Sequence, residues 1–428
     1  MFNISTNELG HFDVAVCGGG VAGVGAAVSA ARAGANVILI EKSGTLGGTL
    51  TEGLMPQLID NENKGGVVKE LYNFLNERNM TIARYGKRID DEGKNVPGRL
   101  VDTEACKYFF DKICTEAGVK MLFHSQVAAI NMDGDRIDGI FLATECGNYS
   151  LTADVYIDAT GNGIIAGFAG CEWDCGDPIE KNPSPTSYGI YVMGMPDGFF
   201  GTDTPAAKTE YNNLLAENNI KISAEQMSAT ILPSQRTWSI GSNFQYGVMP
   251  DDIASLTRAV IEGRRETFET IEAHKKIEGY EKLAVAFSNS HIGVREGRRI
   301  YGEYRLTDED ILSGSRFDDG ICLVRFGVDV HKLKIDDTTD CMRGYRTQPY
   351  HIPYRCLLPL GVSNLLLAGR CISGDFYPHA SYRVMGNMMA TGEAAGFAAA
   401  KCSAEKISPK AFDGRRARDF MAERGYEL

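Results

Sequence analysis

The sequence predicts an α/β fold: a parallel sheet that opens on a strand–glycine turn–helix corner, a β-meander beside it and an inserted α+β segment. Three observations predict it. Asp13 to Lys42 reads as strand, glycine turn, helix, strand and acid, in that order. Short apolar stretches separated by turn signals follow between Val119 and Ala159. The pattern then changes from Ser187 to about Ser290, before a buried-strand pattern returns at Asn364–Gly369.

In the first corner, Asp13–Cys17 is an apolar run suited to a buried parallel strand, and Gly18, Gly20 and Gly23 supply GxGxxG directly after it. Gly18 permits the tight turn, Gly20 lets backbone approach a pyrophosphate, and Gly23 lets the helix pack closely on the strand. Val21 and Ala22 lie between these glycines, where the helix's free N–H groups face the phosphates. Val37–Ile40 ends in Glu41, eighteen residues after Gly23, placed to accept hydrogen bonds from a ribose, with Lys42 beside it. An acid there disfavours a 2′-phosphate, which leaves NAD or FAD.

Gly66–Arg78 and Thr103–Ala117 read as amphipathic helices, the second with Tyr108, Phe109, Ile113 and Cys114 at helical spacing. Strands are expected at Val119–Phe123, Val127–Asn131, Ile137–Ala143 and Val155–Ala159, with a hairpin turn at Met132–Arg136. Ala159, Thr160 and Gly161 lead into Asn162-Gly163, a second strand–glycine junction. No strand ending in an acid follows at the required distance, so it is not a nicotinamide dinucleotide site. Tyr188–Met193 and Thr237–Phe244 suggest strands in the inserted segment. Asp251–Lys276 suggests a long helix with Ile253, Leu256, Val260, Ile261, Phe268 and Ile271 as its apolar stripe. A small-residue helix follows Met385, and a charged helix closes the chain after Ser408.

Composition bounds the partners. The 428 residues carry 44 basic and 56 acidic side chains, a net charge of −12 that does not favour a phosphate backbone. No nucleic-acid partner is expected, although a local basic stretch lies at Arg295–Arg305. The N-terminal MFNISTNELGHF is polar and no membrane-length apolar run occurs, so the expectation is a cytoplasmic protein without a membrane partner. Eleven cysteines without CxxC spacing fit reduced thiols. The pair Cys171 and Cys175 reads as structural thiols ahead of a redox dithiol or half a zinc site, and no metal is expected.

Three separated segments, GGGVAG with Glu41, DATGNG, and LLLAGRCISG followed by RVMGNMMATGEAAG, carry one resemblance. With HIGVREGRRIYGEYRLTDEDILSG and HIPYRCLLP, they resemble the broad family of bacterial FAD-dependent oxidoreductases, distantly similar to fumarate reductase and succinate dehydrogenase flavoproteins. The resemblance implies a glutathione-reductase-type FAD-binding Rossmann domain over 1–186, with its meander at about 119–160. It implies a cap or substrate domain over 187–290, and a return to the FAD domain over 291–428. It places Gly47, Gly48 and Thr49 along the pyrophosphate and flavin, and brings Val127, Ala159, Thr160, Gly161, Gly369 and Arg370 to the cofactor.

The last segment, His379 to Asn387, is similar to the H-x-x-N-R-L-G-G-N motif of fumarate-reductase-like proteins. Arg383 matches the arginine that grips a substrate carboxylate, and Met385 and Asn387 lie beside the flavin. His379 or Tyr382 would exchange the proton, and covalent flavin attachment through His379 or Cys371 stays open. Tyr382 and Met385 depart from the motif, so a dicarboxylate substrate does not follow. Arg370 stands where such proteins place an acid, with Asp375 as the expected compensation; Arg295 and His291 are weaker site candidates. The implied activity is hydride exchange between FAD and a small organic substrate at a CH–CH or CH–OH group. A tRNA-modifying flavoprotein and a non-catalytic flavin-binding module are the alternatives. No oligomer is indicated.

Overall fold

The computed structural model describes residues 5–84, 98–202, 204–234, 236–335 and 347–428; Met1–Ile4 of the polar N-terminal stretch lie outside them. Strand β1 (Asn7–Cys17) starts earlier than the apolar run because its polar first half pairs with a later strand. Helix α1 (Val21–Arg32) and β2 (Val37–Ile40) complete the expected corner, with β2 parallel to β1 and buried along its whole length. A small antiparallel sheet is formed by β3 (Gln57–Leu58), β4 (Thr81–Arg84) and β5 (Gly98–Val101), with α2 (Gly66–Asn76) between the first two. Helix α3 (Thr103–Glu116) starts on Asp102, whose carboxylate accepts from the Glu104 and Ala105 N–H groups. Its Phe109, Ile113 and Cys114 are buried, while Tyr108 is exposed.

The meander differs from expectation in two respects. Strand β6 (Lys120–Leu122) is parallel to β2 and belongs to the main sheet. The meander is β7 (Ser125–Asp133), β8 (Arg136–Thr144) and β9 (Gly147–Asp158), with Asp133 opposite Arg136 at the predicted hairpin. The run expected as a separate strand at Val155–Ala159 is the second half of β9 itself. Residues Gly147–Leu151 pair antiparallel with β8, and Tyr156–Asp158 pair parallel with β18 (Leu365–Leu367). Along its other edge β9 runs parallel to β1. One strand therefore joins the meander and the parallel strands into a single seven-stranded sheet, which a pattern of short apolar runs does not reveal.

After the short α4 (Ile164–Phe168), β10 (Trp173–Asp174) pairs with β15 (Arg299–Ile300). Between them lies the cap. Its sheet has the order β12 (Ser228–Ile231), β13 (Trp238–Gly241), β11 (Ile190–Met193), β14 (Ala284–Ser288), and it carries α5 (Pro205–Glu217) and α6 (Ile253–His274). The expected stripe of α6 is corrected: Ile271 is buried, but Ile253, Ile261 and Phe268 are exposed. The inward face is Ser255, Ala259, Gly263, Thr267 and Thr270, because a Cβ on Gly263 would lie 2.8 Å from that of Tyr188. The segment His291–Gly314 is mostly irregular and holds only β15 and α7 (Asp308–Ser313).

Antiparallel β16 (Gly320–Val324) and β17 (Tyr350–Pro353) precede the return to β18. Helices α8 (Phe376–Tyr382), α9 (Met385–Glu405) and α10 (Gly414–Glu423) follow. Helix α9 lies against α1 at backbone distance, since a Cβ on Gly392 or Gly396 would fall 2.0 Å from the Ala22 or Ala26 carbonyl oxygen. Among the described residues no helix is long and apolar enough to cross a membrane.

Candidate active site

The site begins at the carboxyl ends of β1 and β9. Gly18 has φ +102°, and a Cβ there would lie 2.6 Å from the Ala159 carbonyl oxygen. A Cβ on Gly23 would fall 1.8 Å from the Gly18 oxygen, so this glycine serves helix packing. Gly20 is different: its Cβ would meet nothing within 4 Å. The space in front of it is open, and α1 starts there without a side-chain cap, an arrangement suited to a pyrophosphate. Val21 and Ala22 are buried in that first turn. The second glycine turn is clamped to the first, with Gly47 N–H donating to Gly19 O at 2.8 Å and Gly48 packed over Gly20. Thr49 follows in the same turn, its carbonyl accepting from Met55 N–H.

Glu41 is buried, and its carboxylate accepts from Gly19 N–H at 2.6 Å and Ser43 N–H at 2.8 Å. Those bonds fix its orientation and leave about two of its roughly four lone-pair positions for ribose hydroxyls. Lys42 is exposed. Val127 is buried in β7, two residues beyond Ser125, whose N–H donates to Glu41 O. Ala159 N–H donates to Cys17 O, and Asp158 accepts from Thr160 and from the Ile165 and Ala166 N–H groups, which fixes the Ala159–Gly161 corner. Gly369 packs against Ala22, and Arg370 lies over Gly161. Widely separated parts of the chain thus meet at one place.

Beyond Gly369 the site becomes cationic. Arg370 donates to Asn162 Oδ1 at 2.6 Å, and burial lowers its pKa to about 10. Asp375, the acid expected to compensate for Arg370, accepts from Arg305 Nε at 2.5 Å. His379 is buried, and burial followed by the charges of Arg299, Arg383 and Arg370 holds its pKa well below the usual histidine range. It is neutral at physiological pH. The Tyr382 hydroxyl is buried and donates to Ile372 O at 2.9 Å, so it is occupied by the backbone. Arg383 closes α8 and donates to Asp329 O at 2.8 Å and Asp329 Oδ2 at 3.2 Å. Met385 opens α9, and Asn387 Oδ1 accepts from the Cys322 thiol.

Four buried polar atoms here have no partner: Arg370 Nε, His379 Nε2, Arg383 Nε and Asn387 Nδ2. Buried polar groups are ordinarily hydrogen-bonded, so this concentration at the strand ends marks a place built to receive something. With the open space at Gly20, the residues present fit FAD.

Several neighbours of Arg383 were not legible as site residues. Asp329 and His331 lie in a stretch that carries no motif, and Phe244 is on the cap. Arg295, a weaker candidate by sequence, donates to Pro185 O and Ser187 Oγ and lies over the Phe244 ring. His291 is held near pKa 3 by burial and then by Lys42 and Arg370. In the same segment Glu296 and Arg299 form a buried ion pair, whereas Arg298 donates to Asn162 O. Cys171 and Cys175 are buried free thiols, each pushed up to about 11 mainly by burial.

Residues 13–421 match the family described as FAD dependent oxidoreductase. The chain belongs to that family. This FAD-dependent oxidoreductase has no detectable match among curated proteins. Its fold is similar to that of the OxyS anhydrotetracycline hydroxylase from Streptomyces rimosus. That likeness has a TM-score of 0.50 at 12% identity and covers 97% of this chain and 66% of the hydroxylase. The p-nitrophenol 4-monooxygenase PnpA from Pseudomonas putida DLL-E4 gives a TM-score of 0.49 at 14% identity, covering 97% and 87%. A geranylgeranyl bacteriochlorophyll reductase-like protein from Thermoplasma acidophilum gives 0.46 at 12% identity, covering 99% and 93%. At such identities the likeness shows the fold alone, an α/β FAD-binding fold with a mixed sheet and a cap.

Proposed function

We propose that this FAD-dependent oxidoreductase acts on a small organic substrate whose oxygen is anchored by Arg383. The observation that carries the reading is the set of unpartnered buried atoms on Arg370, His379, Arg383 and Asn387, beside the glycine turns. Gly18 to Gly23, Glu41, Gly47 and Gly48 would hold the dinucleotide, and Arg370 and Asn387 would lie towards its redox end. When bound, FAD would supply hydride exchange at a CH–CH or CH–OH carbon.

The side chains around it orient and balance charge. Arg383 presents a planar fork of donors, which fixes an oxygen in two directions where a lysine would fix a point charge. His379, kept neutral by burial and the neighbouring arginines, presents an unpartnered Nε2 that can hold a substrate hydroxyl or carbonyl by a hydrogen bond. The hydroxyl of Tyr382, donated to Ile372 O, braces the loop that carries both. Val384 caps α9 without a side-chain bond, so the positive end of that helix is available to negative charge developing nearby. The test is a substrate screen that follows bleaching of flavin absorbance in the purified yellow protein. A flavin that no organic donor or acceptor alters would instead support a non-catalytic flavin-binding module.

A further inference from the structure

We propose that Cys322 is a positioning residue for the cofactor: its thiol fixes the Asn387 amide with the NH2 group turned towards the redox end of FAD. This rests on the reading that Asn387 lies towards that end, and it adds a residue that acts only through another.

The two backbones at this contact are held in place. Gly386 N–H donates to Ile59 O at 3.1 Å, and Gly386 packs so closely on Asp60 O that a Cβ would clash with it. Asp60 is anchored in turn, its carboxylate accepting from the Arg325 and Phe326 N–H groups at 3.0 and 3.1 Å. On the facing strand, Leu323 O accepts from the buried Lys64 Nζ at 2.7 Å and from Asn63 Nδ2 at 2.9 Å. Cys322 precedes Leu323 on β16, and Asn387 follows Gly386 on α9. With both chains pinned, the freedom left is which end of the Asn387 amide faces the sulfur.

The thiol decides it. Asn387 Oδ1 lies 3.5 Å from Cys322 Sγ, and both residues are buried. Burial pushes the thiol up to about 11, with Lys64 partly opposing the shift and Asp60 adding to it. Cys322 therefore keeps its proton at physiological pH, and a donor selects the carbonyl end of an amide. Sulfur is a weak acceptor, so the reversed amide would make a poorer bond. Nδ2 is left on the other side without a partner among the described residues. A buried NH2 group lacking an acceptor is costly, and an acceptor on a ligand offsets that cost. Asn387 is the third residue of α9, so its N–H donor and the positive end of the helix act on the same charge. Both favour the reduced, more negative cofactor over the oxidised one, which raises its reduction potential.

The experiment measures the midpoint potential of the flavin in the FAD-loaded protein by spectroelectrochemistry. Cys322→Ala and Cys322→Val both remove the donor while changing volume in opposite directions. Each should lower the reduced-to-oxidised ratio about three- to tenfold, or about 15–30 mV for a two-electron couple. Cys322→Ser retains a donor and should stay within about 1.5-fold of the native ratio. Asn387→Leu should shift the potential at least as far as Cys322→Ala. Adding Cys322→Ala to Asn387→Leu should then change nothing more, since the thiol acts through the amide. Equal shifts in Cys322→Ser and Cys322→Ala, or a further shift in the double variant, would overturn the proposal. If Cys322→Ala does not fold, Cys322→Val and Cys322→Ser still decide. An unshifted potential in Asn387→Leu overturns the placement of Asn387 and the proposal with it. A shift in Asn387→Leu with none in Cys322→Ala or Cys322→Val overturns the role of the thiol alone.

Discussion

Helices α9 and α6 both carry small residues, and they use them in opposite ways. On α9, Gly392 and Gly396 let the helix approach the backbone of α1, so the neighbours of any added methyl are carbonyl oxygens. On α6, Gly263 faces the side chain of Tyr188, while Ile253, Ile261 and Phe268 are left outside. The cofactor domain is thus closed backbone to backbone, and the cap is closed against the root of a side chain, Tyr188 Cβ, which moves only with its own backbone. A small-residue helix alone does not say which of these regimes applies.

The largest expected effect tests that contrast directly. Gly392→Val or Gly396→Val should destabilise by more than about 4 kcal/mol or abolish folding, because main chain cannot move aside. Gly263→Ala should cost less, about 2–3 kcal/mol, since it meets Tyr188 Cβ at 2.8 Å and one stretch of backbone must shift rather than a helix–helix contact. Similar losses from both in chemical denaturation would break the comparison.

The same distinction divides one motif. Gly23→Val should prevent folding because its Cβ would meet Gly18 O, whereas Gly20→Val should give a folded protein without FAD. Stoichiometric flavin absorbance in purified Gly20→Val would contradict the cofactor placement. A smaller effect is expected at the cationic end. Arg383→Lys should keep FAD and melting temperature while the rate of flavin reduction falls by about tenfold. An unchanged rate in well-folded protein would remove Arg383 from the chemistry; a fall in melting temperature alone would make it a brace. The smallest effect belongs to the outer face of the cap. Ile261→Ser and Phe268→Ser should change stability by less than about 0.5 kcal/mol. A loss of several times that would show that this face is covered.

The sequence was most legible where function depends on local spacing. Gly18, Gly20, Gly23 and Glu41 act through one strand–turn–helix–strand unit, and their order alone carries the meaning. Periodicity on α6 was legible only as a stripe, since it does not tell which side the cap sheet covers. The partner of Asp375 was not legible, because Arg305 reaches it from another segment of the chain. Arg295, Phe244 and His331 could not be joined to Arg383 from sequence, as their meeting requires the cap to fold back over the strand ends. Burial of a cation without a carboxylate is a three-dimensional fact and leaves no trace in residue order.

Strand β9 has a consequence for how the protein comes into being. Its outer edge is half filled by β8 and half filled by β18, which is made about 200 residues later. At roughly 5–20 residues per second, that half-edge waits about 10–40 s on the ribosome before its neighbour exists. Gly369, Arg370 and the α9 backbone that locks α1 emerge later still. The proposed flavin pocket therefore cannot be completed until β18, Gly369, Arg370 and α9 have been made. Cofactor loading at that site would be a late event, and until β18 arrives this flank of β9 stays open.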